Sequence, residues 1–379
     1  MNAIEITSKL ISFKSVTPED DGAIDFLIKL LRSKGFKCKV LNFGTKKNKI
    51  KNFYASFRGG KGPNICFAGH TDVVPPGNND LWNSDPFSPI IKNGKIYGRG
   101  SSDMKGAIGS FLEASFKYIC DSKKKFDGEI SFLITGDEEG DAEFGTKKVL
   151  EWLKKENKKI DFCIVGEPTN PNFIGEMAKV GRRGSLNGSL IIKGTQGHVA
   201  YPNKADNPIN KTLKYCFELS KPLDKGNKVF QPSNLEITSI DVNNEVTNLI
   251  PSEVNLKFNI RFNNEFSSMS LTKEIKKRLN KVGTNHILDI KVSGEPFCNQ
   301  SKKLNKALIQ SIKKVLKTNP KMSTSGGTSD ARFISKHCPV IEFGLVGKTM
   351  HKINENVSVK DIEKLTDVYH KFLEDILTS

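Results

Sequence analysis

No run of about 18 uninterrupted apolar residues occurs in the chain, so the sequence carries no pattern for a membrane-spanning helix. Cysteine is sparse: seven in 379 residues, an odd number, scattered from Cys38 through Cys66, Cys120, Cys163, Cys216 and Cys298 to Cys338, without a CxxC pair. That argues against a disulfide framework and against a thiolate metal site, and a cytoplasmic location is expected. The opening stretch "MNAIEITSKLISFKSV" has an acid and no continuous apolar core, which differs from a secretory signal and fits an amphipathic helix. There is no internal repeat and no low-complexity linker. Acids are the minority charge, with 59 Lys and Arg against 42 Asp and Glu, a net charge of +17. Lysine dominates this excess and is spread along the chain rather than gathered on one face. The pattern reads as a solvated surface that also attracts anions, and no nucleic-acid partner is expected.

What is present is a chain long enough for two cores, with hydrophobic residues at 37%. In the first half, apolar runs such as "NICFAG", "EISFLITG" and "DFCIVG" alternate with helical patterns near 104–119 and 144–156. Strands alternating with helices predict an α/β layer around a largely parallel sheet. The middle changes character. "GSLNGSLIIKGT", "LEITSIDV" and "SEVNLKFNIRF" alternate with period two, between helical stretches near 205–219 and 269–281, as in a one-sided sheet. The α/β pattern then resumes with a helix near 303–317, the strand "PVIEFG" and a final amphipathic helix. The simplest reading is a discontinuous α/β domain, 1–181 and 295–379, with an α+β domain, 182–294, inserted in it.

Polar residues collect where the strands of the α/β part end. His70 and Asp72 follow "NICFAG", Asp103 follows "KIYGRGSS", Glu138 and Glu139 follow "ISFLITGD", Glu167 follows "DFCIVG", and His351 follows "VIEFGLVGKTM". Ligands of open α/β sheets bind outside the carboxyl ends of the strands. A basin of carboxylates and imidazoles without thiolate suits Zn2+, and also Mn2+ or Co2+. Each element alone has an ordinary reading: a histidine satisfied by a nearby acid, a solvated acidic pair, a turn. Their shared setting at strand exits is what raises the metal reading.

The stretches "GHTDVVP", "YGRGSSDMKG", "TGDEEG", "GEPT", "GHVAYP" and "MHKINE", in this order and spacing, resemble the M20 family of metallopeptidases and deacylases over nearly the whole chain. The resemblance implies a zinc-exopeptidase-like catalytic domain with a mixed, mostly parallel sheet, and it makes 182–294 a dimerisation domain. It further implies two Zn2+ per subunit, with Co2+ or Mn2+ as substitutes. His70 and Glu167 would hold one ion, Glu139 and His351 the other, and Asp103 would bridge them. Glu138 becomes the general base, and Asp72 the group that orients His70 through its second ring nitrogen. In that family the peptide bond corresponding to Asp103–Met104 is cis. His198 matches a histidine that reaches the partner's active site in a homodimer and stabilises an oxyanion there.

Finer stretches, "AKVGRRGSLNG", "VTNLIPSEVNLKFNIRF" and "STSGGTSDARFI", are similar to the deacylases of this family. The expected reaction is hydrolysis of an N-succinyl amino acid carrying three carboxylates, with an N-acetyl amino acid as the alternative. Arg183, Asn248, Arg261, Gly327 and Thr328 match substrate contacts, with Arg182 left open as a substitute for Arg183 and with Ser185 and Tyr201 as weaker candidates. His286, His337 and His370 match no motif and are expected to be structural or on the surface.

Overall fold

The structure, a computed structural model, describes residues 1–45 and 49–377. It divides into two compact units: Met1–Val180 with Asn299–Ser323 and Ser329–Ser379, and Gly181–Cys298 with Thr324–Thr328. The second unit thus runs a few residues beyond the expected 182–294 and takes in a short return segment that sequence patterning did not indicate.

The first unit is built on an eight-stranded sheet. Its strands follow the order Lys37–Gly44, Lys49–Arg58, Glu129–Thr135, Asn64–His70, Phe162–Val165, Val340–Glu342, Met177–Lys179 and Lys321–Ser323. Glu129–Thr135, Asn64–His70, Phe162–Val165 and Val340–Glu342 form a continuous parallel block. The sheet turns antiparallel toward the first edge, where Lys49–Arg58 pairs with both of its neighbours. Every residue of Asn64–His70 and of Glu129–Thr135 is buried, which is why both read as unbroken apolar runs without alternation.

Helices Gly106–Asp121 and Val359–Leu377 seal this block through aromatic packing. The Phe67 and Phe111 rings stack with centroids 4.6 Å apart, and Tyr369 meets them edge-on at 6.0 and 5.1 Å. Aromatic pairs of this kind add roughly 0.5–1.5 kcal/mol each beyond burial. The first helix, Ala3–Ile11, starts with a reciprocal Asn2–Glu5 capping box and packs on Gly106–Asp121, as its amphipathic pattern implied. No described helix is long and apolar enough to cross a membrane.

Two strand-exit glycines have a packing purpose. A Cβ on Gly69 would lie 2.5 Å from Met104 Cε, and one on Gly166 would lie 2.6 Å from both Met104 Cε and Phe67 Cζ. The Met104 side chain fills the space that both glycines leave open, directly beneath the turn that carries Asp103. The Asp103–Met104 peptide is cis.

In the second unit, a four-stranded antiparallel sheet runs Asn234–Asp241, Glu253–Phe262, Gly184–Lys193, His286–Gly294. One face carries Leu186, Leu190, Leu256, Phe258 and Ile260, packed against Tyr215 and Leu219 of helix Pro208–Leu219 and Leu271, Ile275 and Leu279 of helix Ser268–Val282. This is the one-sided sheet that period-two alternation predicted. The edge strand His286–Gly294 was not anticipated, although Leu288, Asp289, Ile290, Lys291, Val292 and Ser293 alternate with period two; its inward residues are only half-buried.

Gly166→Ala is expected to lower stability by about 1–3 kcal/mol, because the new methyl meets the Phe67 ring and the Ala107 Cβ as well as the end of Met104, and only Met104 can move aside. An unchanged urea midpoint would contradict this packing account.

Candidate functional site

The parallel block delivers its polar residues to one place. His70 is the last residue of its strand, Glu138 and Glu139 lie three and four residues beyond Thr135, and Glu167 lies two beyond Val165. Asp103 enters from the tight turn Ser101–Lys105 that precedes helix Gly106–Asp121. His351 comes from the loop after Val340–Glu342, with a left-handed backbone (φ 59°).

Asp103 lies at the centre. One of its oxygens, Oδ1, is 3.4 Å from His70 Nε2, and the other, Oδ2, is 3.3 Å from His351 Nε2. His70 Nε2 is in turn 3.7 Å from Glu167 Oε1, and His351 Nε2 is 3.0 Å from Glu139 Oε1. The donors therefore fall into two sets, His70–Glu167 and His351–Glu139, each facing its own oxygen of one carboxylate. His70, Glu138 and Glu167 also converge, their nearest ligand atoms lying within 4.8 Å of one another.

His70 Nε2 and Asp103 Oδ1 are both buried and neither makes a hydrogen bond of good geometry. Orphaned donors and acceptors are costly inside a protein unless something else satisfies them. The donor set is hard oxygen and imidazole nitrogen, and Asp72, Asp103, Glu138, Glu139 and Glu167 outnumber the two histidines. Such a set fits divalent cations.

The electrostatics express the same crowding. Burial pushes Glu138 well above the usual carboxylate range, and the charge of Glu167 adds to it. Burial also works against ionisation of Asp103, but the imidazoles of His351 and His70 that face its two oxygens outweigh it and hold that group low. Asp103 and Glu139 together raise His351 to about 10. Burial lifts Asp72 to about 6 in spite of His70 and the two amides it accepts.

Asp72 is placed differently from its expected role. His70 Nδ1 bonds the main-chain carbonyl of Asp72 at 2.9 Å, while the carboxylate lies 3.6 Å away. That carboxylate instead accepts the backbone N–H of Glu138 (3.1 Å) and of Glu139 (3.0 Å). The next acid, Asp137, holds the far side of the same loop by accepting from Ala142 and Phe144 N–H. The Glu138–Glu139 turn is thus clamped from both ends.

Residues not singled out by the strand-exit pattern complete the frame. Glu355 and Arg99 are both buried, and Arg99 Nη1 donates to Glu355 Oε2 at 2.8 Å. Both lie inside stretches that drew attention for other residues, "YGRGSSD" and "MHKINE", and their opposite charges were the available signal. Lys105, fully buried and donating to the Phe13 carbonyl at 3.1 Å, is pushed by burial down to about 7. Asp330 is also buried, and among the described residues neither of its carboxylate oxygens makes a hydrogen bond of good geometry.

The remaining candidates belong to the second unit and fall into three groups there. His198 pairs with Leu249 in a small two-stranded ladder, which brings it beside Asn248, whose carbonyl accepts Val199 N–H at 3.1 Å. Tyr201 sits against the His198 ring at 5.8 Å. Arg183 donates to Pro232 O and Asn234 Oδ1, and burial, with the nearby Arg261 charge, lowers its pKa. Arg182 Nη1 instead bonds the Gly327 carbonyl at 3.1 Å and is 8% exposed, so it braces the segment that also carries Thr328. The two adjacent arginines thus have distinct jobs, which their adjacency in sequence concealed. His286 bonds Tyr215 and His370 bonds Asp121, away from the grouped residues.

Residues 66–375 match the model of peptidase family M20/M25/M40. The chain belongs to that family. Among M20 relatives, the succinyl-diaminopimelate desuccinylase of Pelagibacter ubique (strain HTCC1062) is 51% identical, covering 99% of this chain and 98% of the relative. The enzyme of the same name from Wolbachia pipientis wMel is 47% identical over 99% and 93%. A solved M20 fold, the metallo-carboxypeptidase Sso-CP2 of Sulfolobus solfataricus, superposes with a TM-score of 0.81 at 20% identity, covering 100% of both chains. The M20 architecture, an α/β fold with a mixed, mostly parallel central sheet, is therefore that of this chain.

Asp72→Ala removes the acceptor for two amides. Hydrogen bonds to a charged group are worth roughly 1.5–3 kcal/mol, so deuterium exchange across 137–140 is expected to speed by about tenfold or more. Exchange there at the wild-type rate would show that Asp72 does not hold the turn.

Proposed function

We propose that the chain hydrolyses N-succinyl-L,L-2,6-diaminopimelate to succinate and L,L-2,6-diaminopimelate, a step of lysine and cell-wall biosynthesis. The observation that carries the reading is the division of Asp103, whose two oxygens face separate His–Glu sets beside the buried Glu138. The names of relatives about half identical over nearly the full length support the choice of substrate.

In this reading His70, Glu167 and Asp103 would hold one Zn2+, and His351, Glu139 and Asp103 would hold the other. The chemistry two such ions would supply is polarisation of the scissile carbonyl and a lowered pKa for water. Glu138 accepts the proton of the attacking water, whose oxygen adds to the succinyl carbonyl carbon. It then gives that proton to the diaminopimelate nitrogen as the C–N bond breaks, so one carboxyl serves as base and then as acid. Burial raises the Glu138 carboxyl above the usual carboxylate range, which is the direction a proton acceptor at this position needs. Asp72 fixes the turn from which Glu138 projects.

The substrate carries three carboxylates, which calls for guanidinium and backbone or hydroxyl donors. Arg183, Arg261 and Asn248, with Gly327 and Thr328, are assigned to it, and the partner subunit's His198 to the oxyanion. The homodimer has its own support. Helix Pro208–Leu219 exposes Ile209, Leu213 and Phe217, 37%, 68% and 68% accessible, at the i, i+4, i+8 spacing of a single stripe. An apolar stripe of this kind on a small unit suits a second copy of the same surface.

Glu138→Gln is expected to lower turnover by a factor of about 10²–10⁴ while bound zinc stays at the wild-type level. The deciding assay offers succinyl-diaminopimelate beside acetylornithine to the zinc-loaded enzyme. Faster cleavage of acetylornithine would move the assignment to an acetyl-removing deacylase. Leu213→Glu combined with Phe217→Glu is expected to give a monomer by light scattering, and a wild-type mass would refute this dimer surface.

A further inference from the structure

The buried Arg99–Glu355 pair joins the segments that carry the site. Glu355 is fully buried, and both of its carboxylate oxygens are used: Oε2 accepts from Arg99 Nη1 (2.8 Å) and Gly100 N (2.9 Å), and Oε1 accepts from Ser102 N (2.8 Å) and Asp103 N (3.1 Å). Its main-chain carbonyl accepts Gly98 N at 3.0 Å. One residue, through carboxylate and carbonyl, thus grips the backbone between residues 98 and 103, including the amide of Asp103 itself. Arg99 extends the grip outward. Its Nη1 also reaches the carbonyl of Lys352, the residue after His351, at 3.3 Å, and its Nη2 reaches Pro75 O, three residues after Asp72, at 3.4 Å. The guanidinium lies 5.2 Å from the Trp82 ring centroid, which limits its freedom to swing away.

The loop that carries His351 needs such a tether. His351 and Asn354 both have left-handed backbones, φ 59° and 57°, a conformation that non-glycine residues keep only where their surroundings hold them. A fold that needed only stability at this point could fill the space with apolar side chains, since burying an ion pair is a poor way to gain it. What the pair supplies is geometry: fixed amide directions for Asp103 and a fixed carbonyl beside His351.

We propose that Arg99 and Glu355 are positioning residues for the cation site, setting the places of Asp103 and His351 through the backbone rather than touching ion or substrate. This rests on the reading of the site as a divalent-cation site. The test uses the full chain stripped of metal, with Zn2+ affinity measured by chelator competition and Co2+ absorption as a report of coordination. Glu355→Gln keeps the shape and removes the charge; Arg99→Lys keeps the charge and removes the planar fork. Leu308→Ala, a buried change in helix Lys302–Leu316, is the control for lost stability alone.

Both pair variants are expected to bind Zn2+ about 10–100-fold more weakly and to give an altered Co2+ spectrum, with the loss falling on kcat more than on KM. Leu308→Ala is expected to lower the melting temperature and leave affinity and spectrum unchanged. Wild-type affinity and spectrum in the pair variants would overturn the proposal while leaving the cation reading intact. An equal affinity loss in Leu308→Ala would overturn it too, by reducing the effect to stability. If Glu355→Gln does not fold, Arg99→Lys decides by the same criteria. Absence of Zn2+ binding by the wild-type chain would sink the cation reading itself, and the proposal with it.

Discussion

The structure is organised around a repulsion. Asp72, Glu138, Glu139 and Glu167 are gathered just past the ends of adjacent strands, and Asp103 joins them from the turn Ser101–Lys105, where ordinary solvation would keep such groups apart. Two like charges 4 Å apart repel by about 1 kcal/mol in water and by about 4 kcal/mol near a protein surface. The fold meets this with oriented groups: His70 and His351 on either side of Asp103, the Glu138 and Glu139 amides on Asp72, and the Gly100, Ser102 and Asp103 amides on Glu355. What those groups leave unsatisfied, notably Asp103 Oδ1 and His70 Nε2, is what a cation would complete.

Beneath the acids the requirement is close packing. Gly69 and Gly166 sit on adjacent parallel strands and open the space that Met104 fills, so the turn bearing Asp103 seats low against the sheet. The Phe67, Phe111 and Tyr369 cluster then fixes helices Gly106–Asp121 and Val359–Leu377 to those strands. Site and core share residues here, since Gly166 immediately precedes Glu167 and Met104 immediately follows Asp103. Small changes of volume in the core therefore act on the spacing of the acids.

The second unit follows other rules. Its sheet buries one face only, and its helix Pro208–Leu219 divides into a core side, Tyr215 and Leu219, and an exposed apolar side, Leu213 and Phe217. Arg183 and Arg261 keep their charges close to one another, an arrangement that anionic ligands favour and that pure fold stability would avoid. Arg182 spends its guanidinium on the Gly327 carbonyl instead. Neighbours in sequence thus make different contacts, Arg182 with Gly327 and Arg183 with Pro232 and Asn234.

The sequence by itself determined the alternation of strands and helices, the change of pattern in the middle, and the acids and histidines at strand exits. These are local properties: period, apolar runs and residue type are written over short windows. It also supplied the motif order on which family membership rests. The tertiary structure alone decided the rest. That the Asp72 carboxylate clamps the Glu138–Glu139 turn while its carbonyl takes His70 depends on a loop 66 residues away. That Glu355 holds the backbone of Asp103 depends on a contact across 252 positions. That residues 324–328 rejoin the second unit depends on where the chain returns. Hydrogen bonds between distant segments leave no periodic trace, because either partner satisfies the same local pattern whether or not the other is near. Residue types could say which groups were able to form the site; only folding could say which of them point inward and which hold the others in place.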